Sequence, residues 1–124
     1  MIFGVGLDII EVERIEKAAK SKKFIKRVFC EAEIEMFKKR KFKPQVIAGN
    51  FAAKEATLKA LGIGISSGFL CDIEILRYES GKPYINLKEA AKQYADKIGE
   101  LIFFVSLSNL KDIAAAQVIV EKID

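Results

Sequence analysis

The sequence contains no histidine and no tryptophan, and it has only two cysteines and two prolines among its 124 residues. Without histidine the chain cannot form a Ser-His-Asp or Cys-His catalytic group, nor bind zinc through imidazole. Cys30 and Cys71 form no CxxC pair, which excludes zinc ribbons and thioredoxin-like redox motifs. We expect both to be reduced thiols that fill the core. A metal ion would need oxygen or thiolate ligands.

Long hydrophobic runs are also absent. The longest near-continuous apolar stretch, residues 101–105, is far too short to cross a bilayer, and no basic region precedes Asp8 as it would in a secretion signal. We therefore expect a cytoplasmic protein with no membrane partner. A hydrophobic content of 51% and a charged content of 31% are typical of a globular chain. The length predicts a single domain over residues 1–124.

The net charge of +4 is unevenly distributed. Residues 14–43 carry twelve lysines or arginines against four glutamates, a balance of +8, and the remainder carries −4. Such a region attracts an anionic partner, which could be nucleic acid, an acidic protein surface or a polyphosphate. A solvated helix face with a basic loop is the plain alternative. No RNA-binding, zinc-finger or helix-turn-helix pattern accompanies the charge.

Hydrophobic spacing predicts an α+β fold, because helices and antiparallel strands occur in clusters and not in βαβ alternation. The predicted strands cover residues 2–10, 69–78, 84–87, 101–108 and 113–123. The predicted helices cover residues 11–20, 24–29, 30 into the basic run 38–43, 44–61 and 88–98. Pro44 suits the first turn of the longest helix, and Gly62 its end. Residues 109–112 predict a hairpin loop.

Asp8 interrupts an apolar strand and shares a face with Gly4, Gly6 and Ile10 at the two-residue period of a strand. The small glycines predict free space beside this carboxylate, as a ligand pocket requires. The alternative is an aspartate at a strand end that caps the following helix.

The long helix carries an apolar stripe of Ile47, Phe51, Leu58 and Leu61 at 100° per residue. Lys54 falls within this stripe and Glu55 on its flank, while Lys59 lies one turn beyond Glu55. Charges against an apolar face cost desolvation energy unless they are paired or bind a ligand. Either an ordinary Glu55–Lys59 ion pair or a Mg²⁺ site of two carboxylates, Asp8 and Glu55, satisfies this requirement.

Two weaker signals follow the long helix. Gly62 and Gly64 would let backbone N–H groups approach a phosphate, although a helix cap and a turn explain them equally well. Ser106, Ser108 and Asn109 place polar groups at the mouth of the predicted hairpin.

Several motifs together resemble holo-acyl-carrier-protein synthase, the short-chain type of 4′-phosphopantetheinyl transferase. They span the chain in the right order: Gly4-Val5-Gly6-Leu7-Asp8-Ile9-Ile10-Glu11-Val12-Glu13-Arg14-Ile15, Phe51-Ala52-Ala53-Lys54-Glu55-Ala56, Lys59-Ala60, Gly62-Ile63-Gly64-Ile65, Gly81-Lys82-Pro83, and Ser106-Leu107-Ser108 through Ala114–Ile119. The first two motifs are the most specific.

The resemblance implies Mg²⁺-dependent transfer of phosphopantetheine from coenzyme A to a serine of apo acyl carrier protein. It implies that Asp8 and Glu55 hold the metal and that Glu55 and Lys59 are catalytic. The serine proton would pass to Glu55 or to a metal-bound water. The implied coenzyme A contacts are Lys54, Lys59, Gly62, Gly64, Pro83, Ser108 and Asn109, with Gly81 helping to shape the cleft.

The resemblance also implies partners. Arg14, Phe24 and Arg27 would dock the acidic recognition helix of the carrier protein, which gives the +8 region a specific ligand. The family implies a homotrimer with active sites at subunit interfaces.

The chain departs from the family pattern at Asn50, Asn109 and Ile113, where arginine, histidine and tyrosine are usual. The first two positions are associated with coenzyme A phosphate contacts, and asparagine brings no charge there. We expect Lys82 or Lys111 to be the nearby substitutes. A nucleic-acid-binding module and an inactive relative remain as rival interpretations.

Overall fold

One long helix packs between two antiparallel sheets, and a computed structural model describes residues 1–124. The elements in chain order are β1 (Ile2–Glu11), α1 (Val12–Ala18), α2 (Lys22–Val28), α3 (Glu31–Lys39), α4 (Pro44–Leu61), β2 (Ile73–Arg77), β3 (Pro83–Leu87), α5 (Glu89–Ile98), β4 (Glu100–Asn109) and β5 (Ile113–Ile123). The predicted α+β class is confirmed, as is the hairpin that joins β4 to β5.

The larger sheet has the strand order β1-β5-β4 and the smaller one pairs β2 with β3. In the larger sheet Asp8 pairs with Ala116, and Ala116 pairs in turn with Leu107. These residues belong to the inner face, which packs on α4 together with the buried Val118 and Val120. The alternation of inward and outward residues follows from the two-residue period of a strand.

Gly4 and Gly6 lie on the inner face of β1, as predicted, but the space beside them is filled. A Cβ atom at Gly4 would overlap the carbonyl oxygen of Ala60, and one at Gly6 that of Ala56. The glycines therefore allow the backbone of α4 to approach β1 closely, and the expectation that they open a ligand pocket is wrong.

The long helix α4 begins at Pro44 and ends before Gly62, as predicted. Gly62 adopts a left-handed conformation with φ of 77°, and its N–H donates to the carbonyl oxygens of Leu58 and Lys59. Thirteen of the eighteen residues of α4 are buried, so this helix forms the centre of the core. The close-packed small residues Ala52, Ala53 and Ala56 have no exposed surface.

The predicted strand over residues 69–78 is too long. Its first part forms a 3₁₀ turn, Leu70–Asp72, after an earlier one at Ile65–Ser67, and β2 begins only at Ile73. The carbonyl oxygens of Leu70 and Ile73 accept hydrogen bonds from Lys54, which holds this segment against α4. An apolar run cannot reveal such a tertiary contact.

The outer face of the larger sheet is apolar and exposed. It carries Phe3, Val5, Leu7 and Ile9 from β1, Ile113 from β5, and Ile102 and Phe104 from β4. No helix of the chain covers this face, because the core cluster lies on the opposite side. Separately, no helix is both long and apolar enough to cross a membrane.

Candidate active site

Asp8 and Glu55 converge in one pocket of about 390 Å³, although they lie far apart in the sequence. The inner face of β1 presents Asp8, and the flank of α4 presents Glu55. We call this the carboxylate pocket, and Arg14, Phe24 and Ile65 also line it. Asp8 is buried and Glu55 half-buried, so the Asp8 carboxylate is largely, and the Glu55 carboxylate partly, removed from bulk water.

Lys59 pairs with Asp8 and not with Glu55. Its ammonium donates to Oδ1 of Asp8 and to the carbonyl oxygen of Leu7, each at 3.0 Å. Of the two sequence interpretations, the plain Glu55–Lys59 ion pair is therefore wrong.

Burial and the nearby charge of Asp8 raise the pKa of Glu55 above its usual range, and the charges of Lys59 and Arg14 partly oppose this rise. Two carboxylates share the pocket, and only Asp8 has a cation in direct contact. A divalent cation would relieve their repulsion, and carboxylate oxygens are the ligands that Mg²⁺ prefers. The donor set therefore fits Mg²⁺.

Lys54 lies in the core, and the prediction that it contacts coenzyme A is wrong. Its ammonium lies 2.6 Å from Oε1 of Glu33, donates to two backbone carbonyl oxygens, and has no exposed surface. Glu33 in turn accepts a hydrogen bond from the backbone N–H of Cys30, which places it at the start of α3. Lys54 therefore joins α4, α3 and the segment before β2.

Asn50 is also a core residue. Its amide nitrogen donates to Oε2 of Glu33 and to the carbonyl oxygen of Ile75, both at 2.9 Å, and its oxygen accepts from Arg77. Because Asn50 is fully buried, it cannot contact a phosphate itself. The expectation that it occupies a phosphate position is therefore wrong.

Pro83, Ser108 and Asn109 line a second cavity of about 350 Å³, on the side of the fold where the β2–β3 turn meets the end of β4. We call it the cationic cleft, because Arg40, Lys43 and Arg77 line it as well and no acidic residue does. Gly81 of the predicted turn also belongs to this lining. Three of the predicted coenzyme A contacts, Pro83, Ser108 and Asn109, thus share one cleft.

The cations of this cleft are the residues that sequence reasoning missed. Lys82 and Lys111, the expected substitutes, do not line it. Arg40 and Lys43 belong to the basic run of residues 38–43, but nothing in the sequence distinguishes them from the other cations of that run. Arg77 showed no signal at all, because it ends an apolar strand and approaches the cleft only through the pairing of β2 with β3.

Gly62 and Gly64, two of the predicted coenzyme A contacts, do not line the carboxylate pocket. The N–H of Gly62 already donates within the end of α4, so this glycine acts as a helix cap. Gly64 precedes the 3₁₀ turn that brings Ile65 into the pocket.

The three residues predicted to dock the carrier protein surround the same region. Arg14 and Phe24 line the carboxylate pocket, and Phe24 with Arg27 lines an adjoining apolar pocket of about 330 Å³. Phe24 packs 6.1 Å from Phe51, measured between ring centroids. Exposed cations thus border a partly apolar surface next to the two carboxylates.

The sequence and the fold match one class of protein. The family model described as ACPS, 4′-phosphopantetheinyl transferase superfamily, matches residues 4–118. A holo-[acyl-carrier-protein] synthase of Clostridium botulinum is 48% identical over 124 residues, which cover 99% of this chain and 100% of that protein. One of Caldicellulosiruptor bescii is 40% identical over 122 residues, which cover 98% and 100%.

Solved structures agree. The holo-(acyl-carrier-protein) synthase of Bacillus anthracis, in complex with CoA (3′,5′-ADP), has a TM-score of 0.82, 38% identity and 99% coverage of both chains. That of Neisseria meningitidis has a TM-score of 0.90 and 31% identity, with 98% of this chain and 100% of that chain covered. The chain belongs to the holo-[acyl-carrier-protein] synthase family.

Proposed function

We propose that this chain transfers 4′-phosphopantetheine from coenzyme A to a serine of apo acyl carrier protein. The serine oxygen bonds to the β-phosphorus of the coenzyme A diphosphate, and the bond from that phosphorus to the bridging oxygen breaks. Adenosine 3′,5′-bisphosphate leaves, and holo acyl carrier protein is the other product. The single observation that carries this proposal is the convergence of Asp8 and Glu55 in one pocket, with Lys59 in contact with Asp8, in a chain from this family. We place the activity in one domain over residues 1–124.

We assign the diphosphate to the carboxylate pocket, with Mg²⁺ held by Asp8 and Glu55. When bound, Mg²⁺ supplies positive charge against the diphosphate oxygens, where negative charge increases during transfer. Lys59 adds an ammonium at the same place, and its exposed side chain can turn from Asp8 towards a phosphate. Glu55 has two carboxylate oxygens, so one can face the cation while the other accepts the serine proton.

The carrier protein approaches over Arg14, Phe24 and Arg27. Arg14 lies in the carboxylate pocket itself, so an acidic helix bound to it brings a serine close to Glu55. Phe24 supplies apolar contact area between the two arginines. This arrangement suits an acidic protein helix, because Arg14 and Arg27 can pair with its carboxylates while Phe24 contacts its apolar side chains.

We further propose a homotrimer with active sites at subunit interfaces. Two features support it: the uncovered apolar face of the larger sheet, and the separation of the carboxylate pocket from the cationic cleft, whose linings share no residue. Ser108 lies on the outer face and in the cleft, so a neighbour packed on that face would lie beside this cleft. Sedimentation equilibrium checks the stoichiometry.

The deciding experiment incubates the protein with apo acyl carrier protein, coenzyme A and Mg²⁺ and measures the intact mass of the carrier protein. We expect a mass increase equal to one phosphopantetheine, abolished by EDTA and restored by Mg²⁺. An inactive relative would leave the mass unchanged. A nucleic-acid-binding module would do the same and would bind nucleic acid with a steep salt dependence.

A further inference from the structure

The carboxylate pocket is built from helices and strands, with almost no loop in its walls. Nine of its ten lining residues belong to β1, α1, α2 and α4, and the tenth is Ile65 of the 3₁₀ turn Ile65–Ser67. Enzymes that keep water away from a bound substrate commonly close a loop or a domain over it. Here the turn has only three residues, and the side chain of Ile65 is itself 50% exposed. The chain therefore supplies no cover for this pocket.

The polar groups of the proposed reaction are within reach of water. Arg14 is exposed, the Lys59 side chain is 54% exposed, and Glu55 is half-buried. Among these groups only Asp8 is buried. Because Arg14 and Phe24 line the pocket, the carrier protein that we place over them would cover this open side.

In the proposed transfer, every group that activates the diphosphate belongs to this chain. Asp8 and Glu55 hold the cation, Lys59 adds a positive charge, and Glu55 accepts the proton of the attacking hydroxyl. The carrier protein contributes a hydroxyl and its position. A water molecule carries the same O–H group, so the serine is favoured over water by its position alone.

We propose that this chain hydrolyses the diphosphate of coenzyme A when no carrier protein covers the carboxylate pocket. This inference rests on the proposed function, because it uses the same residues and the same phosphorus. The water oxygen bonds to the β-phosphorus, the bond from that phosphorus to the bridging oxygen breaks, and the water proton passes to Glu55. The products are 4′-phosphopantetheine and adenosine 3′,5′-bisphosphate. The docked carrier protein is then both the acceptor and the cover that excludes water.

Hydrolysis should be much slower than transfer. A hydroxyl held in the reactive position has an effective concentration of roughly 10⁵–10⁸ M, whereas water is present at about 55 M. The ratio of these concentrations predicts hydrolysis about 10³- to 10⁶-fold slower than transfer by the same protein. The assay therefore needs the protein in amounts comparable to coenzyme A and a long incubation.

The first test incubates the protein with coenzyme A and Mg²⁺, without carrier protein, in water enriched in ¹⁸O. Mass spectrometry should find the two products in equal amounts, with ¹⁸O in 4′-phosphopantetheine and none in the bisphosphate. Asp8→Ala should abolish the cleavage, and Lys92→Met, which breaks an exposed ion pair outside the pocket, should retain it. Cleavage no faster than in a protein-free sample, while transfer proceeds, would contradict hydrolysis alone. Failure of transfer as well would contradict the proposed function.

A carrier protein whose acceptor serine is replaced by alanine tests the covering role. It should dock over Arg14 and Phe24 without accepting phosphopantetheine, so hydrolysis should fall at least about tenfold when the complex is saturated. Arg14→Ala should need a higher concentration of this carrier protein for the same fall. Hydrolysis that is unchanged or faster in the saturated complex would show that the carrier protein is not the cover.

The relaxation of water protons gives a readout that needs no turnover. Mn²⁺ bound in the carboxylate pocket, as a probe for Mg²⁺, should speed this relaxation, because water exchanges freely with the open site. The alanine-substituted carrier protein should reduce the enhancement by excluding water, and Asp8→Ala should show little enhancement with or without it. An enhancement that the bound carrier protein leaves unchanged would mean that water still reaches the cation, and it would contradict the proposal.

Discussion

The ammonium of Lys59 lies 3.0 Å from Oδ1 of Asp8, so a positive charge already contacts one of the two proposed metal ligands. The same ammonium donates to the carbonyl oxygen of Leu7, which keeps it close to β1. In the absence of substrate, Lys59 therefore neutralises part of the negative charge of Asp8 that would otherwise attract a divalent cation. When a diphosphate enters, Lys59 has a second anion to bind.

Lys59→Met should tighten the binding of Mn²⁺, used as a probe for Mg²⁺, in the absence of coenzyme A. We expect roughly a tenfold gain, because removal of a nearby positive charge lowers the repulsion felt by the cation. Calorimetry or the paramagnetic relaxation of water protons measures the affinity. Lys92→Met, which breaks an exposed pair with Asp96, is the control and should change nothing. Unchanged or weaker Mn²⁺ binding in Lys59→Met would contradict this role.

Lys54→Met should strongly destabilise the folded protein. It should have no direct effect on the binding of coenzyme A. Removing one partner of a fully buried pair leaves Glu33 uncompensated, and we expect a loss of about 3–5 kcal/mol in the free energy of unfolding. The double variant Glu33→Gln/Lys54→Met should recover part of this loss. Denaturant unfolding measures both. A stable Lys54→Met protein with weakened coenzyme A binding would restore the original assignment.

Gly6→Ala and Gly49→Ala form a matched pair of glycine substitutions. The first places a Cβ against the carbonyl oxygen of Ala56 and should cost more than about 4 kcal/mol of stability, an exceptional value for one methyl group. The second lies inside α4, where the added Cβ meets only Leu107 at 3.9 Å, and should stabilise by about 1 kcal/mol. Thermal unfolding compares them. Equal changes in stability for the two variants would show that the packing of β1 on α4 does not require a glycine at position 6.

Much of this fold follows from local patterns in the sequence. Pro44 and Gly62 bound α4, because proline and glycine act on the local backbone. The 3₁₀ segment before Ile73 was not predictable, since it depends on Lys54 reaching it from α4.

The candidate site, like the fold, could be predicted from the sequence only in part. Asp8 and Glu55 were predictable, because each breaks an apolar pattern and each lies in a specific motif. Arg77 was not, because its place in the cationic cleft depends on the pairing of β2 with β3 and on the orientation of Asn50. Lys54 was misassigned for a related reason: its partner Glu33 lies on another helix, and no spacing within α4 reveals it.

Arg14→Ala should weaken the binding of the carrier protein and leave the binding of coenzyme A unchanged. We expect KM for apo acyl carrier protein to rise several-fold at low ionic strength, with KM for coenzyme A nearly constant. The effect should shrink as salt is added, because exposed charges act through attraction that ions screen. Lys17→Ala, which removes an exposed cation from the same helix, is the control. An unchanged carrier-protein KM at low salt would remove Arg14 from the docking surface.

The most direct measurement of the central claim is the intact mass of apo acyl carrier protein after incubation with coenzyme A, Mg²⁺ and either the unmodified protein, Asp8→Ala or Glu55→Gln. Circular dichroism confirms that each variant is folded. The unmodified protein should add one phosphopantetheine, and each variant should be at least about 100-fold slower if, as proposed, the paired carboxylates hold the metal against the diphosphate. Undiminished transfer by a folded Asp8→Ala or Glu55→Gln protein, or no transfer by the unmodified one, would contradict the account.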